Sequence, residues 1–365
     1  MSRKAEIGSN FWLTSQEIGN TCPLTKEVYG LGKWKHSLLT SSGRGAIRLL
    51  FQNLPQVKKV LLPEYTCSSV ISPIESLGIS CSYYPLNKDL SVNREVLCSL
   101  IDKFASQAVY FQSYYGFDTL KSIRDDYPTL QEKGIIVVED ITHSWLCDFN
   151  STVADYSVAS LRKWLQLPDG GVLLSNTHSL NYEMTEEESS LIVSEFIQAS
   201  VLKEKYFDTF NPSDKEAFRQ HYINAKDLLQ QDETIYSMSK QAQSVLSQID
   251  FSEIVRKRKE NAKYIHTHLC NNDYVESVVE WSDDSVPLYY PIFVKENRSL
   301  LQKELAKNAI YCPIHWPVPS QVSLNMSPDA SFIYTHVLSL ICDQRYDLDD
   351  MLSIIQIVNC FPHDY

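Results

Sequence analysis

The sequence predicts an α/β fold: a large domain on a mostly parallel, doubly wound sheet, followed by a smaller α+β domain at the C-terminal end. Three observations carry this reading. Short β-rich runs alternate with helical stretches through the first half of the chain. Ile135-Ile136-Val137-Val138 is a continuous apolar run of the kind that a parallel sheet buries on both faces. After about residue 276 the chain returns from a long helical stretch to strand and helix.

The elements follow in order. Val60-Leu61-Leu62 reads as a strand and residues 66–77 as a helix; 79–84 is a strand and 93–105 a helix. Ala108-Val109-Tyr110-Phe111, Ile135 to Val138, Tyr156-Ser157-Val158-Ala159 and Val172-Leu173-Leu174 supply four more strands. Residues 177 to about 275 are polar, helical in pattern and poor in β-branched runs. Thr185-Glu186-Glu187-Glu188 places acids where the dipole of a helix start favours them, and Pro212-Ser213-Asp214-Lys215-Glu216 reads as a break before a new helix. A strand over 288–294, a helix over about 297–307 and a short run over 309–311 complete the pattern. The predicted division is a large domain over 1–235, carrying a helical insertion at about 177–234, and a smaller domain over 236–365.

Composition narrows the function. The chain has 365 residues, with 33 Lys and Arg against 45 Asp and Glu, a formal net charge of −12. An acidic surface repels phosphate backbones, so no nucleic-acid partner is expected. No stretch approaches the roughly 18 apolar residues of a membrane helix. No apolar segment follows Met1-Ser2-Arg3-Lys4-Ala5-Glu6, so no signal peptide is predicted. Nine cysteines, an odd number with no CxxC, read as reduced thiols of a cytoplasmic protein. His266 and His268 stand two apart on a predicted helix and so face different ways, which does not make a metal site.

Four features fall in order at the ends of predicted strands, where open α/β sheets bind ligands. Ser41-Ser42-Gly43-Arg44-Gly45-Ala46 runs into a helical pattern, and small residues there expose N–H groups to an anion; a plain Ser-Gly cap has the same sequence. Val138-Glu139-Asp140 puts an acid at the end of a buried strand, where it needs a partner such as a protonated ring nitrogen or a structural cation. Lys163 follows a buried strand beside Trp164 and Leu165, an apolar setting in which an amine loses its charge and becomes a nucleophile; most lysines are simply solvated. Gly170-Gly171 permits a close backbone approach, or is an ordinary turn. Taken together, an anion cradle, an acid for a pyridine nitrogen and an amine for an aldehyde are the three things that pyridoxal 5′-phosphate requires of a protein.

These residues resemble the motifs of the DegT/DnrJ/StrS family of pyridoxal-phosphate-dependent sugar aminotransferases, over about residues 38 to 358. Ser42-Gly43-Arg44-Gly45-Ala46 stands where that family has its phosphate loop, and Leu62-Pro63-Glu64-Tyr65-Thr66 and Ser113-Tyr114-Tyr115-Gly116 resemble two further segments. Val138-Glu139-Asp140-Ile141-Thr142-His143, the interval from Lys163 to Gly170-Gly171, and Ile310-Tyr311-Cys312-Pro313-Ile314-His315-Trp316-Pro317 resemble three more. There are departures. Val158 replaces the family's Ser five residues before the lysine, leaving Ser160 for the phosphate contact. Ile235-Tyr236-Ser237-Met238-Ser239 lacks the Asn that reaches across the family's dimer, with Arg44 as a substitute charge; Cys67 takes the place of a stacking aromatic, with Tyr65 as stand-in.

The resemblance implies the aspartate-aminotransferase-like fold type I and a homodimer. It implies Lys163, Asp140 and His143 as catalytic residues. Ser42, Gly43, Arg44, Gly45, Tyr65, Asp140, Ser160 and Lys163 would bind the cofactor, and His315 and Tyr115 the substrate. The implied reaction moves an amino group from an amino acid donor, glutamate in the family, to the keto group of a nucleotide-linked sugar, as in surface polysaccharide or secondary-metabolite biosynthesis. A pyridoxal-phosphate lyase or transferase acting on an amino acid, and a non-catalytic protein keeping the fold, are the alternatives. Arg345, in Asp343-Gln344-Arg345-Tyr346, is read either as a carboxylate ligand or as a structural residue at a helix start.

Overall fold

The computed structural model of the chain describes residues 6–19, 30–150, 152–185, 189–231, 233–323 and 326–361. A seven-stranded sheet forms the large domain. Its strands are β2 (His36–Thr40), β3 (Lys59–Pro63), β4 (Ser80–Tyr84), β5 (Ala108–Gln112), β6 (Ile136–Asp140), β7 (Tyr156–Ser160) and β8 (Gly171–Ser175), in the spatial order β2-β8-β7-β6-β5-β3-β4. Strands β7, β6, β5, β3 and β4 run parallel, while β8 is antiparallel to both β7 and β2.

The pleat sorts the side chains of the parallel strands between two faces. Val60, Leu62, Ala108, Tyr110 and Val138 pack with α1 (Gly43–Gln52) and α2 (Ser68–Glu75). Leu61, Val109, Phe111 and Val137 pack with α3 (Arg94–Phe104) and α4 (Tyr127–Glu132). Burial on both faces is why these strands read as unbroken apolar runs. The same alternation sends Asp140 toward the α1 side and its neighbour Glu139 to the opposite face.

Two antiparallel helices of 20 residues each, α5 (Ser190–Thr209) and α6 (Pro212–Gln231), form the predicted insertion. Pro212 starts α6, as its fixed φ favours. The run Glu186 to Glu188, read above as a helix start, lies outside the described residues, and α5 begins at Ser190. Helix α7 (Lys240–Gln248) packs into the apolar cluster that holds Trp164 and Leu174, and α8 (Phe251–His268) leads on to the smaller domain.

There, β9 (Val275–Ser277), β10 (Tyr290–Val294) and β12 (Val337–Leu340) form an antiparallel sheet in the order β12-β10-β9. Helices α9 (Arg298–Lys307), α10 (Pro328–His336) and α11 (Leu348–Cys360) accompany it. Strand β11 (Ile310–Tyr311) pairs in parallel with β1 (Ile7–Gly8), so the N-terminal segment is built into the C-terminal part of the chain.

His266 bonds the Tyr290 hydroxyl through Nδ1, while His268 stacks on Tyr264. The eight described cysteines are free; Cys22 lies outside the described residues. No helix among the described residues is long and apolar enough to cross a membrane.

Candidate active site

At the C-terminal ends of β6 and β7 lies a cavity of about 970 Å3, lined by Ser42, Gly43, Arg44, Asp140, Ser160 and Lys163 among others. Such a volume stands at the upper end of ordinary ligand pockets.

The anion cradle begins at α1. Ser42 is the N-cap, its Oγ accepting from the Gly45 N–H at 2.9 Å. Gly45 is therefore occupied with the cap, and Gly43 and Arg44 stand on the cavity wall in front of it. A Cβ on Gly43 would sit 3.0 Å from the Cβ of Ser160, so the glycine brings the helix start against the end of β7. A Cβ on Gly171 would meet the carbonyl carbon of Ser42 at 2.1 Å, and the Gly170 N–H donates to Ser41 O at 2.6 Å. The paired glycine thus makes the close backbone approach that its sequence permits. The segment Ile235 to Ser239 runs alongside, Tyr236 O accepting from the Ser41 N–H at 2.9 Å. The Arg44 side chain has no hydrogen-bond partner among the described residues, and burial pushes its guanidinium down from the usual arginine range.

Asp140 is buried, with Oδ1 accepting from the Thr142 N–H and Oδ2 from the Tyr110 hydroxyl, both at 2.8 Å. Those two donors fix the carboxylate while leaving it on the cavity wall. Glu139, on the other face, meets Arg124 at 3.4 Å and plays no part in the cavity.

Lys163 closes a 3-10 turn at the end of β7. Its neighbour Trp164 is fully buried and anchors it: the indole N–H donates to Thr142 O at 2.7 Å, and its carbonyl accepts from Gln344 at 2.8 Å. The buried Arg258 lies 4.7 Å from the Trp164 ring centroid. The Lys163 amine reaches His143 Nε2 at 3.3 Å and lies 5.6 Å from the centroid of Trp316. Burial lowers the lysine's pKa from its ordinary value, opposed by the carboxylate of Asp140 among others.

Behind the wall stand His143, Tyr115, His315 and Tyr65. His143 Nδ1 accepts from the Tyr115 N–H at 3.3 Å, and burial together with the Lys163 charge keeps the ring neutral, far below its ordinary pKa. His315 bonds Ser339 at 2.8 Å, and burial and the same charge push it down to about 3. Two expected roles change here. Tyr65 does not stack on the cavity: it is fully buried, donates to His315 O, shares a hydrogen bond of 2.6 Å with the Tyr115 hydroxyl, and packs on Trp316 at 5.2 Å. Tyr115 and His315 are likewise a supporting layer, and the aromatics that line the cavity beside them are Trp316 and Tyr289, the latter packed on His315 at 4.9 Å. Sequence reasoning passed over Trp316, although it stands within the same His-Trp-Pro motif. Arg345 also lines the cavity and forks onto Asp343 with two bonds of 2.8 Å.

The residues present fit pyridoxal phosphate. The narrow cradle between Gly43 and Ser160 adjoins an arginine without a hydrogen-bond partner among the described residues, the Asp140 carboxylate is held on the wall, and Lys163 on the same wall is shifted toward the free amine. Fold and site together define the class: a fold type I pyridoxal-phosphate-dependent transferase. The chain belongs to the DegT/DnrJ/EryC1/StrS aminotransferase family, whose profile matches residues 22–359. No curated protein matches it in sequence. Its fold is similar to that of Helicobacter pylori PseC, an aminotransferase involved in the biosynthesis of pseudoaminic acid (TM-score 0.70, 15% identity, 99% of this chain and 100% of that one). It is also similar to DesI, solved in the presence of its TDP-sugar product (0.67, 15%, 96% and 86%). A third similar structure is the PLP form of the putative sugar aminotransferase Spr1654 from Streptococcus pneumoniae (0.66, 15%, 97% and 98%).

Proposed function

We propose that the protein transfers an amino group from an amino acid donor, glutamate, to the keto group of a nucleotide-linked sugar, acting as a cytoplasmic homodimer in surface polysaccharide or secondary-metabolite biosynthesis. The observation that carries this reading is the convergence of the Gly43–Ser160 cradle, Asp140 and Lys163 on one cavity large enough for a sizeable substrate beside the cofactor. Bound pyridoxal phosphate supplies an aldehyde for amine exchange and a ring that accepts electron density.

The chain's own groups do the rest. Ser42, Gly43, Arg44 and Ser160 hold the phosphate: first-turn N–H groups and the helix dipole favour the anion, and the arginine adds a full charge. The Asp140 carboxylate, fixed by Tyr110 and Thr142, holds a proton on the ring nitrogen. Lys163 would be the residue that holds the aldehyde, and its amine, shifted toward the uncharged form, would be the base that takes up and returns a proton. His143, kept neutral with Nδ1 accepting from the Tyr115 N–H, carries its proton on Nε2 and donates it to the uncharged Lys163 amine without adding a competing charge. Trp316 covers the amine from the open side and limits water. A boundary near residues 235 and 236 fits this work, with the large domain holding the cofactor and the smaller domain bringing Trp316 over it.

Incubation with glutamate and a nucleotide-linked keto sugar is expected to yield 2-oxoglutarate and amino sugar in equal amounts. Product from a free amino acid alone, with the keto sugar untouched, would overturn the substrate assignment in favour of a lyase.

A further inference from the structure

Part of the cavity wall is built by a segment that the mechanism does not use. Ser9, Asn10 and Phe11 line it, and helices α5 and α6 face them with Phe196 and Tyr222. This N-terminal strap is held from two sides. The fully buried Lys203 of α5 donates to Ser9 Oγ at 2.5 Å and to Asn10 O at 2.7 Å, lies 3.6 Å from Glu6, and is covered by the ring of Trp12 at 4.7 Å. From the smaller domain, Arg345 donates to Ser9 O at 3.1 Å and Asn10 O at 3.2 Å, and its guanidinium lies 4.1 Å from the Phe11 centroid. The Tyr222 hydroxyl donates to Phe11 O at 2.8 Å.

Five of these hydrogen bonds converge on the main chain and Ser9 hydroxyl of three residues, and a buried cation is costly unless its bonds have work to do. The residues so held, Asn10 and Phe11, line the cavity, and the Asn10 amide has no hydrogen-bond partner among the described residues. An aromatic face stacks on any heterocyclic base, and an amide both donates to and accepts from a base edge. We propose that Asn10 and Phe11 form the subsite for the base of a nucleoside diphosphate, the leaving end of the acceptor, and that Lys203 and Arg345 are its positioning residues. The proposal rests on the nucleotide-linked acceptor assigned above.

The test is calorimetric titration of the full-length, cofactor-loaded protein with dTDP and, separately, UDP. The wild type is expected to bind at least one of them. Phe11→Ala, on a partly exposed strap, is expected to weaken that binding about tenfold. Lys203→Met is expected to weaken it comparably and to speed amide exchange over residues 8–13, while cofactor affinity stays within twofold; Lys203→Arg, which keeps a cation in reach of Ser9 and Asn10, recovers part of the loss. Were Lys203→Met to lower cofactor and nucleotide affinity together, its role would be merely structural. Should that variant fail to fold, Phe11→Ala decides alone. Unchanged nucleotide affinity in Phe11→Ala overturns the subsite and leaves the nucleotide-sugar reading standing; a wild type that binds neither nucleotide overturns both.

Discussion

Burial and one close neighbour set the proton of Lys163. Burial disfavours the ammonium, and the imidazole of His143 at 3.3 Å offers it a neutral contact in place of a carboxylate. The amine must be uncharged to attack the cofactor's aldehyde, so capture of pyridoxal phosphate by cofactor-free protein should accelerate with pH and reach half its limit below 10.5, the ordinary value for lysine. Stopped-flow absorbance across pH 6 to 10 checks this, and Lys163→Arg should show no capture at any pH. The strand end, the acid and the lysine were legible in the sequence because each breaks a local rule: a carboxylate closing an apolar strand, and an amine beside two large apolar residues. Trp316 was not, because an aromatic beside a proline carries no such contradiction, and its position depends on how the smaller domain docks. Tyr65 misled for the converse reason. It lies two residues from Cys67, which does line the cavity, and the chain turns it into a fully buried hydroxyl network.

Among the elements, the contact between α1 and β8 governs the cradle. Gly171 lies where main chains meet with no room for a Cβ, and a Cβ on Gly43 would press on Ser160 at 3.0 Å. Gly171→Ala places its methyl 2.1 Å from the Ser42 carbonyl carbon and must push α1 off the sheet. A destabilisation of about 3 kcal/mol is expected by urea titration, with cofactor affinity lowered about tenfold or more. Gly134→Ala is the comparison for a methyl that meets nothing within 4 Å; its positive φ, which Gly171 does not have, adds a backbone strain of its own. The parallel strands were legible because burial on both faces erases any alternation. Strand β2 was not, being polar and half-exposed at the sheet edge. Strands β9 and β12 are three and four residues long, too short for a periodic signal. Helices α5 and α6 were expected as helical, but their pairing into a hairpin over the cavity needed the structure.

On the scale of the whole molecule, two imidazoles sit neutral between the large and small domains. Burial, with the charge of Lys163, holds His143 and His315 below the ordinary histidine value, His315 at about 3. Unfolded chains take up protons on both near pH 6.5, which the folded protein refuses. Stability contributed by these groups is therefore complete above pH 6.5 and is lost as pH falls from there toward about 3. Urea titrations should show a loss of about 2.4 kcal/mol between pH 6 and 5, and His315→Asn should roughly halve that slope. An acid-insensitive protein over this range would mean that the two rings are protonated or exposed.

The central claim is that Lys163 is the attachment point of pyridoxal phosphate in a working aminotransferase site. The most direct test is an absorption spectrum of the purified protein before and after borohydride, followed by mass spectrometry of the peptide that carries Lys163. A visible band that borohydride abolishes, with the cofactor's mass fixed on Lys163, is the predicted result. No band after incubation with the cofactor, or the mass fixed on another lysine, would contradict the account.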